Sequence, residues 1–119
     1  MYYQEIINRD KEAVIAKMAE NTGFRVKTMK TVYEHVFEKE HSFRNGEKKH
    51  FDPDYDMAQS FQRILEGKDI KPHDITLLRH ERLEYLLMKK YNMVYEDAHS
   101  IAERKYNYSK GLKEFLDER

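Results

Sequence analysis

Apolar residues recur along this chain three and four positions apart, in five separate stretches. The first runs from roughly Lys11 to Glu20, with Val14, Ile15, Met18 and Ala19 on one side. It stops at Asn21-Thr22-Gly23, where glycine suits the left-handed position after a helix. A second helix places Val26, Met29, Val32, Tyr33, Val36 and Phe37 on one stripe. The period fails from Glu38 to Pro53. Within that gap Arg44-Asn45-Gly46-Glu47 reads as a turn and suggests a short hairpin between His41-Ser42-Phe43 and His50-Phe51. Asp52-Pro53-Asp54 starts a third helix carrying Met57, Ala58, Phe61, Ile64 and Leu65, closed by Gly67. Lys71-Pro72-His73-Asp74 opens the fourth and longest helix, with Asp74 as its N-cap, and it runs to about Tyr91. A fifth covers Tyr95 to about Tyr106, and Gly111 precedes a final turn ending at Leu116. The pattern predicts an all-α fold: one compact domain over residues 1–119, with five or six helices and an irregular or hairpin insertion around residues 39–51.

Composition narrows the partners more than the fold. A chain of 119 residues suits one hydrophobic core. Charged residues reach 37%, but the 39% that are hydrophobic are clustered, which favours a folded chain over a disordered one. Lys+Arg and Asp+Glu are equal at 22, so the net charge indicates no nucleic-acid footprint, although a local basic patch is compatible with it. The absence of cysteine excludes disulfides and thiolate metal ligands and fits an intracellular protein. No apolar run approaches a membrane span, and MYYQEIINRDKE lacks the layout of a signal peptide. The first two helices also scan like a helix-turn-helix or the opening of a histone-like protein, with Arg25, Lys27 and Lys30 leading the second. Two core helices joined by a glycine turn is the simpler reading.

Candidate chemistry lies on the fourth helix. At about 100° per residue, Leu77, Leu83, Tyr85, Leu87, Met88 and Tyr91 fall on one broad arc, with Arg79, Arg82, Lys89 and Lys90 opposite. His80, Glu81 and Glu84 fall inside the apolar arc. A buried carboxylate there needs a partner or a cation. His80 and Glu84 are one turn apart and can converge on one ion. The fifth helix places His99 at the edge of its apolar face, with Glu103 one turn on. The short link from Tyr91 to Val94 brings the two helices together. His80, Glu84 and His99 would then bind a divalent metal such as zinc or manganese. His80 and Glu81 are the catalytic candidates, with Glu81 as general base on a metal-activated water. The competing reading is a hydrogen-bonded His/Glu network closed by a cation such as Lys105, tying two helices together. The run His80-Glu81-Arg82-Leu83-Glu84 resembles the His-Glu-x-x-His signature of zinc proteases, with Glu84 standing where the second histidine belongs.

Three other features point elsewhere. His73-Asp74 resembles the adjacent pair of helical HD-type metal phosphohydrolases, with His41 or His50 and Asp97 as further ligands, although an N-cap role for Asp74 explains the pair more simply. Glu96-Asp97-Ala98-His99 has the Glu-x-x-His spacing of di-iron bundles, without a second copy. His35 falls on the polar side of its helix and reads as a solvated surface residue. No Gly-rich phosphate loop and no Gly-x-Ser-x-Gly elbow occur.

Four stretches, EHVFEKEHSF, FDPDYDMAQSFQRI, DITLLRHERLEYLLM and YEDAHSIAERKYNY, together resemble a small helical domain. That domain ends bacterial polymorphic toxins and occurs in phage or prophage minor head proteins, and the resemblance spans roughly Phe24 to Tyr108. It implies either a toxin-like or phage-associated hydrolase, or a non-catalytic phage interaction protein. An immunity protein or a phage head protein is the implied partner. The implied location is the cytoplasm, a phage particle or a secreted effector. On this resemblance His41, Asp56, Arg63, Asp74, His80, Glu81, Glu84 and His99 are the polar residues to follow.

Overall fold

The five expected helices are present, and the residues bounding them show why each stops where it does. The computed structural model describes residues 2–50 and 54–117. Within them the chain runs α1 (Tyr2–Ile7), α2 (Lys11–Thr22), α3 (Val26–Tyr33), a π-turn (Glu34–Glu38), β1 (Glu40–Ser42), β2 (Lys48–His50), α4 (Tyr55–Glu66), α5 (Pro72–Tyr91), α6 (Tyr95–Lys105) and α7 (Tyr108–Asp117). The fold is all-α with a small β insertion, as the pattern predicted. α1 was not foreseen, because six residues are too few to display a period, yet its Ile6 is fully buried.

Local chemistry sets the helix ends. The Asp10 side chain accepts from the Glu12 amide at 3.3 Å to start α2, and the Asp54 side chain accepts from the Met57 amide at 2.8 Å to start α4. α2 and α4 end at Gly23 (φ 80°) and Gly67 (φ 69°), left-handed positions that glycine adopts without Cβ strain. Asn21 binds the last turn of α4, its Nδ2 donating to the carbonyls of Ile64 and Leu65 at 2.9 and 3.1 Å. The insertion is an antiparallel hairpin pairing Glu40 with His50, His41 with Lys49 and Ser42 with Lys48. The expected strand residue Phe51 and the expected helix start at Asp52-Pro53 lie outside the described residues.

Two expected boundaries need correction. Asp74 is not the N-cap of α5. Pro72 occupies the first turn, Lys71 is the cap, and the Asp74 side chain reaches back to accept from the Lys71 amide at 2.8 Å. Gly111 does not precede a terminal turn but lies inside α7, where a Cβ would stand 3.0 Å from that of His73. The missing side chain lets α7 approach α5 closely.

α5 is the central element, packed against α3, the π-turn, α4, α6 and α7. Met18, Met29, Val32, Phe61, Ile64, Leu77 and Leu78 form a core with almost no exposure. Phe61 packs edge-on to Phe37 with centroids 5.2 Å apart, and burying each large side chain of this kind contributes roughly 1.5–3 kcal/mol. Tyr91, placed on the apolar arc by the wheel, is 69% exposed, and Lys89 and Lys90 beside it in the last turn of α5 are exposed too, while Leu78 is buried instead. Among the described residues no helix is long and apolar enough to cross a membrane.

Candidate functional site

The buried face of α5 carries His80, Glu81 and Glu84, all within 2% of complete burial, as the helical wheel predicted. Alanines make the approach of α6 possible. Ala98 and Ala102 are fully buried, and they bring His99 and Glu103 over His80 and Glu84.

Glu84 is the hub. Its Oε2 accepts from His80 Nε2 at 2.6 Å and from His99 Nδ1 at 2.7 Å, and its Oε1 accepts from His35 Nε2 at 2.9 Å. The nitrogens of His80 and His99 are 3.2 Å apart. His80 Nδ1 faces the Tyr106 carbonyl at 3.2 Å and Glu103 Oε2 at 3.4 Å. Both ring nitrogens of His80 therefore look at oxygen acceptors. A ring with one N–H can donate to only one of them.

His35 is the residue that sequence reasoning misplaced. Expected on the surface, it is 1% exposed and bonded to Glu84. The segment Glu34–Glu38, a π-turn closed by the Lys39 amide on the Glu34 carbonyl at 2.9 Å, is covered on a second side as well: α5 packs on it and His41 of β1 lies against His35, so the side a wheel assigns to solvent is buried. One signal was present: His35 sits among Val32, Tyr33, Val36 and Phe37, a segment apolar on more than one face. His41 supports it from β1, its Nε2 donating to the His35 carbonyl at 2.8 Å with the rings 4.4 Å apart.

Electrostatics divides the two α5 carboxyls. Burial first, then the charge of Glu84 and a hydrogen bond shared with it, hold Glu81 well above the usual carboxylate range. Its Oε2 is buried without a hydrogen-bond partner, 3.5 Å from His35 Nε2. Burial would also raise Glu84, but the hydrogen bonds from His35, His80 and His99 outweigh it and hold Glu84 far below that range. The hydrogen bond to Glu84 raises His99, against the effect of burial. Burial, then the neighbouring His35, lowers His41 to about 4. Tyr95 stacks on His99 with centroids 5.5 Å apart, and burial followed by the Glu84 charge keeps its phenol protonated far into the alkaline range.

Among the described residues the ion pairs of Glu81, Glu84 and Glu103 run to His35, His80 and His99. Lys105, expected to close the network, is exposed, with its Nζ 5.9 Å from the centre of the Tyr106 ring. The other sequence candidates are not gathered here. Asp74, fully buried, is clasped by Arg63 through two contacts of 2.7 Å, and Arg63 also donates to His73 Nε2 at 3.2 Å. Burial lowers His73. His50 is exposed on β2, and Asp97 binds Arg44 at the surface, so the HD-type ligand set does not assemble. Glu96 accepts from the Arg44 amide at 2.9 Å, which fixes the hairpin turn to α6. Asp56 lies partly buried on α4, away from the Glu84 centre.

Two sets of three donors in this centre have ligand atoms mutually within 4.8 Å: His80, His99 and Glu103, and His35, Glu81 and Glu84. Compared with known proteins, the chain matches no protein-family model, no curated protein and no solved structure.

Proposed function

We propose that this protein is a metal-dependent hydrolase whose divalent cation, zinc or manganese, is held by His80, His99 and Glu84. One observation carries the reading. His80 Nε2 and His99 Nδ1, 3.2 Å apart, converge on the same oxygen of a buried carboxylate. Ligands around one ion at about 2.1 Å stand roughly 3–3.5 Å apart, so the set needs only slight expansion to admit it. The contact from His80 Nδ1 to the Tyr106 carbonyl is the support that a ligating histidine ordinarily has.

A bound cation supplies Lewis acidity and a nucleophilic water near neutral pH. The protein supplies access and a base. The His99 side chain is 44% exposed and that of Glu103 25%, so this side of the centre opens to solvent. Glu81, proposed from the sequence as the base, is held well above the usual carboxylate range, which favours its protonated form over a resting base. Glu103, on the open side, is the carboxylate placed to take a proton from water.

The toxin-like or phage-associated setting rests on the resemblance of the four sequence stretches. A purely structural network is the second reading, favoured by the three imidazole contacts that already surround Glu84. The test uses protein purified without an affinity tag. Elemental analysis should find zinc or manganese, and hydrolysis of phosphodiester, carboxyl-ester or peptide probes should be chelator-sensitive and restored by that metal. Metal-free protein that neither binds added ion nor hydrolyses any probe would establish the network.

A further inference from the structure

Behind the solvent-facing donors lies a second set that the reading above does not use. We propose that His35, Glu81 and Glu84 form a second, inner cation site, so that the centre binds two ions bridged by the Glu84 carboxylate. This rests on the outer ion proposed above.

Each oxygen of Glu84 faces a different set. Oε2 meets His80 and His99, while Oε1 meets His35 at 2.9 Å. Glu81 Oε2 completes the inner set at 3.5 Å from His35 Nε2. These separations match those of ligands sharing one ion. Two features favour an ion there. Glu81 Oε2 is buried with no hydrogen-bond partner, although buried carboxylate oxygens are almost always satisfied. Two carboxyl groups with 0–2% exposure are also packed side by side on α5; a hydrogen bond shared between them requires a proton on Glu81, and a cation there would instead let both serve as ligands. An inner ion would answer both.

The two positions differ in access. His35, Glu81 and Glu84 are all closed to solvent, so an inner ion would be screened from bulk water and would act by fixing and polarising Glu84. The outer ion, beside the half-exposed His99, meets water. A carboxylate bridge of this kind holds its ions about 3.5–4 Å apart, the separation of two-metal hydrolases. On this arrangement Glu81 is a ligand and not the general base.

The experiment is metal stoichiometry on the full chain, by equilibrium dialysis against manganese, with electron paramagnetic resonance at one and two equivalents. Two equivalents are expected, and the second should quench the signal of the first through exchange coupling. Glu81→Gln, nearly isosteric and neutral, should fold by circular dichroism and retain one equivalent, whereas His99→Ala should weaken the outer ion. Two equivalents with additive, uncoupled signals overturn the bridge. A single equivalent unaffected by Glu81→Gln overturns the inner site and leaves the outer reading standing. No bound manganese or zinc overturns both. The parent measurements decide the matter even if a variant does not fold.

Discussion

His35 and Glu84, 49 positions apart in sequence, meet at 2.9 Å, and neither is exposed beyond 1%. This contact joins the π-turn to α5, and it makes the assembly of the candidate centre part of the tertiary fold.

Glu84→Gln should therefore destabilise the protein strongly. An amide has one oxygen in place of two, and its NH2 group would face an imidazole nitrogen. Removing one member of a buried ionic group typically costs about 3–5 kcal/mol. Urea denaturation of both proteins at pH 7 measures the difference. A loss below about 1 kcal/mol would show that the three histidines do not depend on this carboxylate.

Acidification should withdraw two contributions to stability, set against two that it restores. His41 is lowered to about 4 in the folded protein, so between its ordinary value of 6.5 and about 4 the unfolded chain takes up a proton that the folded chain refuses. Each such group costs up to about 1.4 kcal/mol per pH unit over that window. Glu84 adds a second loss as pH falls below the ordinary carboxylate range, because its folded-state value is depressed. His99 is raised and acts in the opposite sense: its contribution is complete below 6.5 and declines as pH rises through its folded value. Glu81 is raised as well and opposes His41 above the ordinary carboxylate value of 4.5, so the check is a comparison: between pH 6.5 and 4 the urea midpoint of His41→Gln should rise relative to that of the parent as pH falls.

Arg63→Ala should unfold the protein readily without affecting metal affinity in what remains folded. It leaves the fully buried Asp74 without its cation, at a cost of about 3–5 kcal/mol. Arg63→Lys should recover only part of this, since a lysine cannot reproduce the paired contacts from Nε and Nη2. Metal titration of the folded fraction provides the check. A specific loss of binding would return His73 and Asp74 to the functional centre.

Asp54→Ala should cost about 1 kcal/mol through loss of the α4 cap, with the Glu84 centre unaffected. Asp54→Ser should largely restore the thermal midpoint. Equal losses for both would mean that the cap hydrogen bond is not what holds this helix start.

Much of this was legible in the sequence because α5 is a regular, capped helix. A wheel applies to it, and three polar residues on its apolar arc were visible as a buried group. Gly23 and Gly67 marked helix ends for the same local reason. His35 was hidden because it lies off the apolar stripe of its helix and is buried only by what α5 and His41 of β1 bring over that side, contacts distant in sequence. Asp74 was misread because two capping roles compete within Lys71-Pro72-His73-Asp74, and the choice is settled by Arg63 from another helix. The convergence of His99 and His80 depends on how closely two alanines let α6 approach, a distance that composition suggests but does not specify.

The turn at Glu34–Glu38 also bears on how such a centre can arise or vanish. A π-turn is an α-helix with one surplus residue in its register. Excising a single residue here would let the helix close with ordinary bonds and leave Met29 and Val32 upstream in the core, while changing the direction in which residues around His35 project. A one-codon deletion would therefore be expected to remove the contact with Glu84 while preserving most of the helical scaffold. Between relatives of this chain, the thing to compare at this point is the spacing as well as the residue.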